Sequence, residues 1–75
     1  MNAVILRDMT IGKFNIQTKQ GRKSTKDRTV VQGDEFVIDH EFIASGMANH
    51  GTKCYALKDG VRLLLVRACD VVILP

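Results

Sequence analysis

Four side chains in this sequence carry the chemistry of metal ligation or nucleophilic attack: His40, His50, Cys54 and Cys69. Imidazole nitrogens and thiolates are the ligands zinc prefers, but structural zinc sites draw them from closely spaced pairs. Here nine, three and fourteen residues intervene between successive members, so no metal or other cofactor is expected. A nucleophilic cysteine needs a base within hydrogen-bond reach, and His40 or His50 could supply one. Nothing in the spacing couples either histidine to either cysteine, so no catalytic residue is expected. Both cysteines lie in or next to apolar strand sequence, where a thiol serves as a small core side chain.

Charge is the stronger local signal. Lys19, Arg22, Lys23, Lys26 and Arg28 fall within ten residues and are opposed only by Asp27, a local +4. The segment 19–28 has no apolar residue, so it must be an exposed loop, and its positive potential suits an acidic protein face or phosphates. The competing reading is a solvated loop that keeps a small domain soluble. Within it, Gly21-Arg22-Lys23-Ser24 echoes the end of a phosphate-binding loop, but Ile16 occupies the place of that motif's first glycine and no strand-loop-helix context surrounds it. Asp34, Glu35, Asp39 and Glu41 place −4 over eight residues. The chain is thus electrically two-sided, a property that orients docking on another protein but that ordinary outward charges on an edge strand also produce. A second loop, Ser45 to Gly51, offers Met47, Asn49 and His50 as adaptable contacts, although a methionine there also serves as a core plug.

The elements that position these groups read as strands. The chain has 75 residues, 11 Lys and Arg against 8 Asp and Glu, and a net charge of +3. That length allows one domain with a thin core, burying roughly 60–65% of its unfolded surface. No apolar run approaches the ~20 residues of a membrane span. Ala3–Leu6 is too short and wrongly flanked for a signal peptide. These features, with two cysteines expected as free thiols, point to a cytoplasm. Periodicity is mostly two. Ala3–Leu6 is one strand. Lys13–Lys19 alternates, with Phe14, Ile16 and Thr18 on one face. Gly33-Asp34 is a turn, and Glu35–Asp39 follows with Phe36 and Ile38 on one face. Lys53–Lys58 and Val61–Val66 flank Asp59-Gly60, the clearest hairpin, with Val61, Leu63 and Leu65 sharing a face. Arg67–Asp70 reads as one helical turn, and Val71–Leu74 as the last strand. A short helix over Asp39–Asn49, capped by Asp39 with Phe42, Ile43 and Met47 as its stripe, is the alternative.

The expected fold is all-β: a single small, partly open five-stranded barrel over residues 1–75, whose closure protects apolar edges such as Val71–Leu74. The order of pieces resembles a Src-homology-3-like small barrel: Ala3–Leu6, the 8–32 excursion, Gly33-Asp34-Glu35-Phe36-Val37, SGMANHG, the Tyr55…Asp59-Gly60…Leu65 hairpin, Arg67–Asp70, and Val71–Leu74. It is most similar to barrels encoded by bacteriophages. Polyproline recognition is rejected, because the chain has no Trp and only Tyr55 to build the aromatic groove. The resemblance implies a non-enzymatic interaction protein, of the phage type that regulates or inhibits bacterial transcription machinery. Lys19, Arg22, Lys23, Lys26 and Arg28, with Met47, Asn49 and His50, would contact a larger protein or complex. The alternatives are a nucleic-acid-binding barrel using the same basic loop, and a self-assembling structural component formed through an unpaired edge strand, beginning with a homodimer.

Overall fold

The computed structural model describes residues 1–18, 26–45 and 51–75. Eight strands form: β1 (Asn2–Ile5), β2 (Met9–Ile11), β3 (Ile16–Thr18), β4 (Arg28–Val30), β5 (Glu35–Ile43), β6 (Lys53–Asp59), β7 (Arg62–Arg67) and β8 (Val71–Leu74). Single 3-10 turns at Lys13–Asn15 and Ala68–Asp70 are the helical elements among the described residues. The strands make a six-stranded antiparallel sheet in the order β3-β7-β6-β5-β1-β8, and β2 and β4 pair as a separate ribbon. The all-β expectation holds. The count of five does not: the excursion after β1 contributes strands of its own.

Cross-strand rows show how the core is filled. Leu57 faces Ile38 on one side and Leu64 on the other, and Leu64 faces Ile16. Tyr55 pairs with Val66, Ala3 with Phe36 and Ile73, and Ile5 with Val71. The β2–β4 ribbon adds Ile11 and Val30, with Met9 packed against the same cluster. Leu57 and Leu64 have no exposed surface, so each contributes about 1.5–3 kcal/mol of apolar burial.

Two turns depend on glycine. Gly33 has φ 93° and sits third in the turn Val31–Asp34, which the Asp34 amide closes on the Val31 carbonyl at 3.0 Å. The Asp34 carboxylate accepts from the Val31 amide in return, also at 3.0 Å. At the β6–β7 hairpin, Asp59 pairs with Arg62, so the central residues are Gly60 and Val61. Only Gly60 has positive φ there, 61°. That is the type II′ pattern, with glycine first, and it moves the turn one residue on from Asp59-Gly60.

Other expectations need correction. In β7 the core takes Leu64 and Val66, while Val61 is 71% exposed; the face of Val61, Leu63 and Leu65 points outward. In the Lys13–Lys19 segment the strand starts only at Ile16, and Phe14 lies on the preceding 3-10 turn, 80% exposed. Over Asp39–Ile43 the helical alternative gives way to the continuation of β5, with a register shift between Ile38 and His40; residues 46–49 of that alternative lie outside the described residues. The ladder stays open, with β3 and β8 at its two ends, so Val71–Leu74 is an outer strand with Val72 and Leu74 exposed. Among the described residues no helix is long and apolar enough to cross a membrane.

Candidate functional site

The excursion between β1 and β5 is fastened to the sheet by side chains of low sequence proximity. Asp8 accepts from the Gln32 amide at 2.9 Å, and Asp27 from the Lys13 amide at 2.9 Å. Arg28 donates to Asp59 at 3.2 Å, and Arg62 reaches the same carboxylate oxygen at 2.8 Å. One carboxylate at the hairpin therefore holds both its own strand and the ribbon. These tethers set the position of the first 3-10 turn and of β2 over β7.

A cleft of about 430 Å³ opens between them. Met9, Thr10, Ile11, Gly12 and Asn15 form one wall, and Leu65, Val66 and Arg67 the other, with Arg7 and Asp70 at the end. The volume falls in the roughly 300–1,000 Å³ range of ligand clefts. Asp70 is the one charged residue buried among the described residues, at 5% exposure. Its carboxylate accepts from Arg7 and, at 3.4 Å, from Arg67 Nε. Two cations meet one anion there, which leaves a formal +1. Both arginine side chains are about half exposed, 59% and 48%, and neither Arg7 Nε nor the terminal nitrogens of Arg67 have a partner among the described residues. Planar N–H forks of this kind suit carboxylates and phosphates. On the 3-10 turn that supplies Asn15 to the cleft, Phe14 is exposed, with Lys13 Nζ 5.5 Å from its ring centroid.

The residues singled out from sequence fare differently. Lys19, Arg22, Lys23, Met47, Asn49 and His50 lie outside the described residues. Lys26 is exposed. Arg28 is a strand residue bound to Asp59 and to the Thr29 carbonyl, so its charge serves the scaffold and not a projecting arm. The acidic run is also engaged: Glu35 accepts from Asn2, Asp39 contacts His40 Nδ1 at 2.6 Å, and Glu41 pairs with Lys53 at 3.2 Å. Among the described residues no three His, Cys, Asp or Glu side chains gather as a metal site. Cys54 and Cys69 are free thiols; Cys54 is buried, but Cys69 is exposed and is no core residue. Burial pushes the Cys54 thiol up from its ordinary pKa, and bonds to Tyr55 and Glu41 push Lys53 up.

Sequence reasoning missed Phe14, Arg7 and Arg67. For Arg67 and Asp70 a signal existed, the i,i+3 spacing across a single helical turn. For Phe14 it did not, since alternation with Ile16 imitates a strand. Comparison of the chain with protein-family models, curated proteins and solved structures gives no match.

Proposed function

We propose that this chain is a non-enzymatic interaction protein that docks on a larger protein, with Phe14 and the arginine-lined cleft as its contact surface. The observation that carries this reading is Phe14: a phenyl ring 80% exposed in a chain with a thin core, next in sequence to the cleft-lining Asn15 and within 5.5 Å of the Lys13 ammonium. Exposed aromatic and arginine side chains are the residue types that anchor protein interfaces. The resemblance to phage-encoded barrels makes bacterial transcription complexes the first assembly to test, by analogy of fold.

The test is capture from nuclease-treated bacterial lysate on the immobilised chain, beside Phe14→Ser. A stoichiometric protein held by the wild type and lost by the variant is the expected result. Recovery of no such protein overturns the reading. A second reading, single-stranded nucleic acid stacked on Phe14 with Lys13 beside it, is favoured by the same exposed ring. It requires binding to short DNA or RNA that weakens steeply as salt rises.

A further inference from the structure

The cleft is lined by Leu65, Val66 and Arg67 in succession. Successive side chains of a strand point to opposite faces, so a cleft touching three in a row runs along the strand's edge. The pairing pattern agrees. β6 covers one edge of β7 through Cys54 opposite Arg67. On the other edge β3 pairs only as far as Ile16 opposite Leu64, because the chain leaves the sheet at the Lys13–Asn15 turn. Leu65–Arg67 thus have no strand on that side among the described residues, and their position is the continuation of β3.

Resting on the reading of an interaction protein, we propose that this slot receives an extended acidic segment of the partner as an added strand along β7. An edge of unpaired N–H and C=O groups is a template for such addition. A peptide main chain supplies both donors and acceptors to that edge. A phosphodiester backbone supplies acceptors alone. Arg7 and Arg67 select carboxylates on one face of the added strand. Met9, Ile11 and Val66 receive aliphatic side chains on the other. Gly12 keeps the wall open: a Cβ there would meet no atom within 4 Å, and its φ of −66° is open to any residue.

The test is titration of the isotope-labelled full chain with a blocked hexapeptide alternating Glu and Val, followed by amide NMR shifts. Shifts centred on Leu65–Arg67 are expected, with none from the Lys-Val counterpart. Peptides N-methylated along one edge should lose binding at least tenfold in one of the two registers. Arg67→Gln should weaken binding about tenfold, and Gly12→Trp should abolish it while leaving distant amides unmoved. Equal binding of the lysine peptide, indifference to N-methylation in both registers, shifts centred elsewhere, or tighter binding of oligodeoxythymidine at the same amides would each overturn the proposal. If the captured partner still depends on Phe14 while the peptide fails, only the slot is refuted; loss of both refutes the docking reading as well.

Discussion

Arg7 and Asp70, 63 positions apart, are joined guanidinium to carboxylate where β1 leaves the sheet and the turn before β8 begins. The Leu6 amide donates to the Asp70 carbonyl at 3.0 Å in the same place. The junction therefore closes the chain's two ends on each other by main chain and side chain together. Asp70→Ala should leave both arginines without their anion and cost about 1.5–3 kcal/mol. Arg7→Ala and Arg67→Ala should cost less than 1 kcal/mol each, because either arginine still satisfies the carboxylate and both are half exposed. Urea denaturation of the three variants and the double arginine variant checks the ranking; equal costs for all three would refute it.

Leu64 and Leu65 are neighbours on β7 with opposite fates. Leu64→Ala removes a fully buried side chain and should cost about 2–5 kcal/mol, enough to unfold much of so small a domain at room temperature. Leu65→Ala should cost clearly less, since Leu65 lies at the cleft and keeps part of its surface in water. Thermal melting of the pair reads the difference directly.

The hairpin glycine is a backbone requirement. Gly60→Ala forces φ 61° on a residue with a Cβ and should cost about 1–2 kcal/mol, although the added methyl meets nothing within 4 Å. A melting temperature equal to wild type would show that the turn relaxes to another type.

Cys54 and Cys69 should separate by reactivity. Cys54 is buried and its thiol pKa is raised by desolvation, whereas Cys69 is exposed. With a water-soluble disulfide reagent at mildly alkaline pH, the Cys54→Ser variant should react quickly at Cys69. The Cys69→Ser variant should react slowly, at the pace of local opening. A raised folded pKa means that the folded chain holds the proton more tightly. This contribution to stability is complete below the unfolded thiol's pKa and is lost as pH rises through the folded one. Denaturation midpoints should accordingly fall toward strongly alkaline pH, less so in Cys54→Ser.

Period-two patterning, the Gly33-Asp34 turn and the polar gaps were enough to read a small, mainly β chain and the order of its main strands. These are local effects: alternation, turn conformation and the cost of burying charge act between near neighbours. Which face of β7 turns inward was not local. It depends on a one-residue placement of the hairpin, and both Leu63/Leu65 and Leu64/Val66 are apolar, so only the match to Tyr55, Leu57 and Ile16 across the sheet selects one. Phe14 alternates like a core residue, yet the Asp27 tether on Lys13 and the late start of β3 leave it outside. In sequence Arg28 belongs to the exposed basic loop 19–28, but Asp59, 31 positions away, holds it on the scaffold. The cleft is further still from local inference, because it exists only where β3 ends short of β7 and β2 folds beside the gap. Pairings between distant residues decide such features, and a single sequence carries no record of which distant residues meet.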